Sequence, residues 1–172
     1  MPTVRTAAPQ DEARILEIYK IARETMKATG NPTQWGDTYP PDALIRADIQ
    51  TGRCHVVCEG DTITGAFALC RGADPCYARI ENGAWLSEAP YAALHRVAGD
   101  SAYHGVFRAM TAYAQSLGRY LRIDTHADNR IMQHLIVKCG FTRCGIIRLE
   151  NGDPRIAYEK EGTLVRGKPL PF

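Results

Sequence analysis

Three polar residues occupy every second position of a short segment in the C-terminal half of the chain. Arg122, Asp124 and His126 are separated by single apolar or small residues, which indicates a strand with three polar side chains on one face. Burying such a row costs free energy unless the charges have partners. Asp124 therefore indicates either a structural ion pair, with Arg122 or with Arg96, or a base that takes a proton from an attacking amine. For His126 we favour a reaction site.

The elements around this row predict a strand–helix unit. An alternating apolar strand over 120–125 leads through a polar turn into a helix over 129–138, which Gly140 can end in the left-handed conformation. Asn129 opens this helix. As a preferred N-cap residue it could simply cap the helix, a role for which Asp128 competes.

A second class of chemistry would pair the Cys139 thiol with His126 or His134. Cys139 falls at a helix C-terminus, where the dipole disfavours a thiolate, and no third orienting residue is evident. The six cysteines include no CxxC pair and no secretion signal precedes them, so free, buried thiols are expected. No metal site is predicted, because neither a spaced thiol pair nor a helical histidine pair is present.

Composition narrows the class of protein. The chain has 172 residues, 45% of them hydrophobic, which suits one domain over residues 1–160 with a C-terminal tail over 161–172. A formal net charge of +2 without a basic stripe gives no sign of nucleic-acid binding. No apolar run approaches the about 18 residues of a membrane span, so a cytoplasmic protein is expected.

The remaining elements alternate between strands and helices. We predict strands over 4–7, 55–58, 63–69, 92–98, 142–149 and 155–158, and helices from Pro9 to near Gly30, from Pro41 to Gly52, and from Val106 to Leu117 with Gly118 as its stop. Residues 70–88 are irregular, with an extended continuation of the preceding strand and a loop. This order indicates an α/β or α+β fold with helices on both faces of a mixed sheet.

The segment RIDTHADNRIMQHLIVKCGFTRCGII, followed by PRIAYEK, resembles the C-terminal half of the GNAT superfamily of acyl-CoA-dependent N-acyltransferases. The match covers 91–160 well, whereas residues 1–90 fit by the order of their elements. The resemblance implies a mixed, mostly antiparallel sheet in which the fourth and fifth strands run parallel and splay apart. It also implies acetyl-CoA as cosubstrate and an amine acceptor that attacks the thioester directly in a ternary complex.

The resemblance also assigns cofactor contacts. The loop before the third helix would hold the pyrophosphate through backbone N–H groups, although only Gly105 matches the family motif cleanly. His104 and Arg108 could add positive charge there. The cofactor residues implied in this way are Val97 and Ala98, through their backbone, then His104, Gly105, Val106 and Phe107, and finally the side chain of Asn129.

One departure from the family pattern concerns the general acid. Many GNAT enzymes place a tyrosine seven residues after the asparagine, but this chain has Ile136 there. Tyr103 or Cys139 could donate instead, or the proton of the amine itself could reach the thiolate. A non-catalytic acyl-CoA-binding sensor or scaffold is the alternative function. His95, Glu81 and Glu88 are further candidate bases or structural residues.

An aromatic loop after the first helix resembles the substrate-covering loop of a bacterial branch of the family. Trp35 and Tyr39 would line the acceptor site, or would instead anchor a long connection by packing. The acceptor could be a small amine or amino acid, a peptide N-terminus or a lysine. The apolar tail residues Leu164, Val165, Leu170 and Phe172 leave a homodimer open.

Overall fold

The computed structural model describes residues 1–117 and 119–162, and its backbone forms seven strands and four helices. The strands are β1 (Thr3–Thr6), β2 (Cys54–Glu59), β3 (Thr62–Arg71), β4 (Tyr91–Gly99), β5 (Tyr120–Thr125), β6 (Thr142–Arg148) and β7 (Pro154–Lys160). The helices are α1 (Glu12–Ala28), α2 (Asp42–Gln50), α3 (Val106–Ser116) and α4 (Arg130–Lys138).

The strands form one mixed sheet in the order β1-β2-β3-β4-β5-β7-β6. The pair β4–β5 is parallel, and its ladder runs from Tyr91–Tyr120 to Ala93–Arg122. The pairs β1–β2, β2–β3, β5–β7 and β6–β7 are antiparallel. The predicted fold class, a mostly antiparallel sheet with one parallel pair, is confirmed.

The described chain groups into two compact units, the first made of Met1–Leu69 and His95–Met110. Its core forms because α1 and α2 carry apolar residues at helical spacing and turn them toward one cluster. The buried members from α1 are Ile15, Ile18, Tyr19 and Ala22, and those from α2 are Ile45 and Ile49. The members from β2 and β3 include Cys54, Val56, Ile63 and Ala66.

In this unit the first turn of α3 lies directly against β3 at Gly65. A Cβ atom added at Gly65 would overlap the Val106 side chain and would lie 2.9 Å from Met110 Cε and 3.1 Å from the Ala98 carbonyl oxygen. Only glycine allows this approach. The position of the α3 N-terminus is therefore set by the strand beneath it.

The second unit comprises Cys70–Leu94 and the described part of Thr111–Phe172. The irregular segment expected at 70–88 contains a single 3-10 turn, Pro75–Tyr77, and one isolated bridge between Glu81 and Ile146. This segment supplies core, because Tyr77 is 2% exposed and belongs to a cluster with Ala93, Ile147 and Ala157. No regular pattern marks this segment in the sequence, because side-chain packing orders it rather than repeated secondary structure.

Predicted and observed elements agree within about three residues, and the largest shift is at α1, which begins at Glu12 after a 3-10 turn over Pro9–Asp11. Gly140 has φ +85 and ends α4 as expected. The predicted helix stop at Gly118 and the apolar tail residues of 163–172 lie outside the described residues. The single domain over 1–160 stays a prediction.

Candidate active site

The loop that precedes α3 is organised by Asp100. The Asp100 N–H donates to the Thr64 carbonyl at 2.9 Å, and the Asp100 carbonyl accepts from the Tyr103 N–H at 3.0 Å. Its carboxylate accepts from the Ala102 N–H at 3.0 Å and from Arg14 Nη2 at 2.7 Å. The Ala102 hydrogen bond and the Arg14 guanidinium lower the pKa of Asp100. These hydrogen bonds fix the shape of the loop, and the Arg14 guanidinium balances the negative charge of Asp100.

The end of this loop leads into the N-terminus of α3 through Gly105, which is exposed. Gly105 has φ +76, a conformation that L residues rarely adopt, and no heavy atom lies within 4 Å of the position of an added Cβ. The first N–H groups of a helix lack intrahelical acceptors and carry partial positive charge. The His104 and Arg108 side chains beside them are exposed. These features fit an anionic group such as a diphosphate.

The last part of β4 carries an unusual residue in the first unit. Arg96 has φ +51, although it is neither glycine nor asparagine. Val97, which follows, is half-buried, and Ala98 is 2% exposed. The two residues expected to bind the cofactor arm through their backbone therefore come directly after a left-handed residue.

In the second unit, Asp124 lies half-buried on β5 and accepts a hydrogen bond from the Tyr77 hydroxyl at 2.7 Å. Tyr77 is enclosed by Trp85 and Tyr91, with ring centroids 5.3 and 6.0 Å away. Burial first, and the Asp124 charge second, raise the pKa of Tyr77 well above 10. The Tyr77 phenol therefore stays protonated and donates a hydrogen bond to the Asp124 carboxylate. A carboxyl group can act as a base only when it is ionised.

Arg122 has a structural environment. Its Nε lies 3.0 Å from Oε1 of Glu159, which is fully buried, and its guanidinium carbon lies 4.0 and 3.9 Å from the ring centroids of Trp85 and Tyr91. The Arg122 Nη2 also donates to the Ser87 carbonyl at 2.9 Å. Of the predicted pairing partners of Asp124, Arg122 forms an ion pair with Glu159 and Arg96 forms one with Asp48.

His126 follows β5 and is held by the turn. Its Nδ1 accepts from the Asp128 N–H at 3.0 Å, and the Asp128 carboxylate lies 3.6 Å away. A neutral imidazole that accepts at Nδ1 carries its proton on Nε2. In this tautomer His126 presents its Nε2–H as a hydrogen-bond donor, and Nε2 has no lone pair with which to take a proton.

Asn129 caps α4. Its Oδ1 accepts from the Met132 N–H at 3.0 Å, and Asp128 lies one residue before it without that role. The structure thus settles which of the two neighbouring residues is the N-cap. A contact of the Asn129 side chain with a cofactor arm stays a prediction.

No family model matches the chain, and no curated protein matches its sequence. Solved structures do match. A GNAT-family acetyltransferase from Streptococcus agalactiae has 30% sequence identity and a TM-score of 0.83, over 94% of this chain and 96% of that chain. The chain belongs to the GNAT family of acetyltransferases. A GNAT-family acetyltransferase from Listeria monocytogenes, with 24% identity and a TM-score of 0.68 over 93% of this chain and 94% of that one, has the same fold.

GNAT acetyltransferases use acetyl-CoA, and the position of the family tyrosine is the main departure here. Ile136 is fully buried in α4, so it is a core residue with no proton to give. Cys139 forms the C-cap of the same helix, and its carbonyl accepts from Lys160 Nζ at 2.6 Å. Tyr103 is half-buried in the loop before α3.

The aromatic loop of this GNAT chain is largely packed. Trp35 is 9% exposed and belongs to the core of the first unit, with its ring 5.8 Å from Tyr19 and 6.1 Å from Tyr39. Tyr39 is 40% exposed. The burial of Trp35 agrees with the alternative of a packing anchor, and acceptor contacts by Trp35 and Tyr39 stay predictions.

The other candidates have different surroundings. Glu81 forms an ion pair with Arg148 at 3.1 Å, Glu88 is exposed, and His95 is half-buried on β4. Among the residues that the structure describes, no group of three or more His, Cys, Asp or Glu could hold a metal ion. Within the same residues, no helix is both long and apolar enough to cross a membrane.

Sequence reasoning missed Tyr77, Trp85, Asp48 and Glu159. Tyr77 and Trp85 lie in the irregular segment, where no periodicity marks a buried residue. Asp48 and Glu159 are buried carboxylates that pair with Arg96 and Arg122, which lie 48 and 37 residues away from them. The one available signal was Arg122 itself, since a buried arginine on a strand needs a carboxylate from a neighbouring element.

Proposed function

We propose that this GNAT-family chain is an N-acetyltransferase that transfers the acetyl group of acetyl-CoA to a primary amine within a ternary complex. The observation that carries the proposal is the match over nearly the whole chain at 30% identity with a GNAT-family acetyltransferase. The N-terminus of α3, with its hydrogen-bonded loop and the exposed, left-handed Gly105, supports it from the chemistry of the chain itself.

The chain would hold the cosubstrate in three places. Backbone N–H groups of His104, Gly105, Val106 and Phe107 would bind the pyrophosphate, the backbone of Val97 and Ala98 the pantetheine amides, and Asn129 the arm. When bound, acetyl-CoA supplies an activated acyl thioester with a thiolate leaving group. No metal ion is needed for this chemistry.

Asp124 is the residue that we assign as proton acceptor. Attack requires a neutral amine, so a base must take one proton from the ammonium form. The Tyr77 hydroxyl orients the carboxylate by donating a hydrogen bond to it. The Nε2–H of His126 would orient the acceptor by donating a hydrogen bond. Trp35 and Tyr39 would line the acceptor side. The acceptor would be a small amine or a peptide amine.

The binding test is calorimetric titration with acetyl-CoA of the wild type and of a matched pair, Gly105→Asp and Gly105→Asn. Asn and Asp both tolerate the left-handed region, and nothing within 4 Å blocks either side chain, so the two variants differ in charge alone. We expect Gly105→Asp to bind at least about tenfold more weakly than Gly105→Asn, because a carboxylate at this helix N-terminus repels a diphosphate. Equal affinities of the two variants would mean that the pyrophosphate does not bind at this loop.

A turnover test separates an enzyme from an acyl-CoA sensor, the second candidate that the buried Ile136 favours. Free thiol is measured with acetyl-CoA alone and with a panel of small amines and peptide amines. Thiol released only with an amine identifies a transferase, and Asp124→Asn should then lower kcat by about 10²-fold or more without weakening acetyl-CoA binding. Tight binding without turnover by any amine would favour the sensor.

A further inference from the structure

The left-handed residue Arg96 on β4 is held from two sides. A non-glycine residue with φ +51 persists only where its surroundings stabilise that conformation, because its Cβ crowds the backbone. The Arg96 carbonyl accepts from the Tyr19 hydroxyl at 2.8 Å. Its guanidinium binds Oδ2 of Asp48 through Nε at 2.8 Å and Nη2 at 2.7 Å. Main chain and side chain of the same residue are therefore both fixed.

The two partners of Arg96 are polar groups in the core of the first unit. Tyr19 and Asp48 are each 1% exposed, on the faces of α1 and α2 that otherwise carry isoleucine and alanine. The other carboxylate oxygen of Asp48 accepts from Arg53 Nε at 3.1 Å. Buried charges of this kind rarely stabilise a fold more than apolar residues of similar size would. A role beyond packing would account for their presence here.

The conformation of Arg96 sets the direction of the backbone that follows it. The main-chain dihedrals of one residue rotate every peptide plane after it, and the next two residues are Val97 and Ala98. A return of Arg96 to extended geometry would turn the N–H and C=O groups of both residues away from their present directions. The affinity for a ligand bound by these groups therefore depends on the main-chain dihedral angles of Arg96.

We propose that Tyr19 and Asp48 are positioning residues that hold Arg96 left-handed and thereby aim the backbone polar groups of Val97 and Ala98 at the amides of the acetyl-CoA arm. This inference rests on the proposed function, because the ligand of that backbone is the cosubstrate assigned above. It gives Tyr19 on α1 and Asp48 on α2 a part in cosubstrate affinity, although we assign neither residue a contact with the cosubstrate.

The test compares four purified variants by calorimetric titration with acetyl-CoA and by thermal unfolding. Asp48→Asn removes the carboxylate that pairs with the Arg96 guanidinium, and Tyr19→Phe removes the hydrogen bond to the Arg96 carbonyl. The double variant Asp48→Asn/Arg96→Gly provides the rescue, since glycine adopts φ +51 without any support and leaves no unpaired guanidinium. Asp11→Asn is the control, because Asp11 is another buried carboxylate of the same unit, paired with Arg5 at 2.6 Å and without a hydrogen bond or ion pair to β4.

Asp48→Asn should weaken acetyl-CoA binding about tenfold, and Tyr19→Phe less. Asp11→Asn should lower the unfolding temperature while keeping wild-type affinity. The double variant should recover most of the affinity even if its stability stays low, a recovery that a merely structural role of Asp48 would not give. Wild-type affinity in Asp48→Asn, or no recovery in the double variant, would overturn the inference.

Backbone chemical shifts of Val97 and Ala98, which are present in every variant, separate this inference from the proposed function. If the wild type binds no acetyl-CoA, the proposed function fails. The chemical shifts alone then show whether Tyr19 and Asp48 keep Arg96 left-handed. Shifts that move in Asp48→Asn and return in the double variant support it. Shifts that stay at wild-type values in Asp48→Asn overturn it.

Discussion

In each compact unit a strand arginine pairs with a buried carboxylate, but the two arginines differ in their backbone. In the second unit Arg122 is part of a regular ladder, directly opposite its partner Glu159 on β7. In the first unit Arg96 is left-handed, and its partner Asp48 comes from a helix. The same chemical pair is thus a cross-strand contact in one unit and a support for an irregular strand in the other.

The difference shows what each pair stabilises. A pair in direct cross-strand register strengthens the strands that carry it, and the rings of Trp85 and Tyr91 on either side of Arg122 add to that cohesion. A pair between a helix and a strand residue of unusual φ stabilises one backbone angle. We therefore expect loss of the first pair to affect mainly unfolding, and loss of the second to affect mainly binding.

The largest expected effect is on stability, in Glu159→Gln. Glu159 is fully buried, pairs with Arg122 at 3.0 Å and accepts from the Leu86 N–H at 2.5 Å. Removing its charge leaves the Arg122 guanidinium buried without a counter-ion, which typically costs about 3–5 kcal/mol. Urea unfolding followed by circular dichroism measures the loss of free energy of unfolding.

Glu81→Gln is the matched control for that substitution. Glu81 also pairs with an arginine, Arg148 at 3.1 Å, but that arginine is exposed to solvent. Its loss should lower the free energy of unfolding far less than Glu159→Gln does, because exposed pairs gain little in water. Equal losses in the two variants would contradict the cohesion that we assign to the buried pair.

A smaller effect should appear at alkaline pH, where the two units can be compared through one buried tyrosine each. Burial raises the pKa of both Tyr19 and Tyr77 well above 10. The unfolded chain then loses these protons before the folded chain does, so stability is complete below about pH 10 and falls as the pH rises above it. The slope is at most about 1.4 kcal/mol per pH unit for each tyrosine.

Urea midpoints of Tyr19→Phe and Tyr77→Phe between pH 8 and pH 11 test this sign. Each variant should be less stable than the wild type at pH 8 and should lose less stability on going to pH 11. Tyr39→Phe, which changes a side chain that is 40% exposed, should follow the wild type. A wild-type pH dependence in Tyr77→Phe would mean that its hydroxyl is not protected in the folded state.

Much of the fold could be predicted because local signals mark it. Tyr120–Thr125 alternates cleanly, Gly140 ends α4, and Gly60 at φ +59 closes the β2–β3 turn. These features depend on neighbouring residues in the sequence. The family resemblance then supplied the parallel pairing of β4 and β5, which periodicity alone does not determine.

The candidate site was harder to predict because its partners are distant in sequence. The alternation around Asp124 indicated a polar face, but its donor Tyr77 lies 47 residues earlier in a segment without periodicity. The left-handed Arg96 lies in a segment whose residues read as an ordinary strand. Its conformation depends on Tyr19 and Asp48, 77 and 48 residues away, so no local pattern could mark it.

The two tryptophans of the chain divide between the two units. Trp35 lies in the apolar core of the first unit, whereas the ring of Trp85 in the second unit has the Arg122 guanidinium 4.0 Å from its centroid. A cation over an indole gives an environment unlike that of a buried apolar ring, so the two residues should differ in fluorescence. The protein thus contains one intrinsic optical reporter for each unit, and single Trp→Phe variants would show whether both units unfold together.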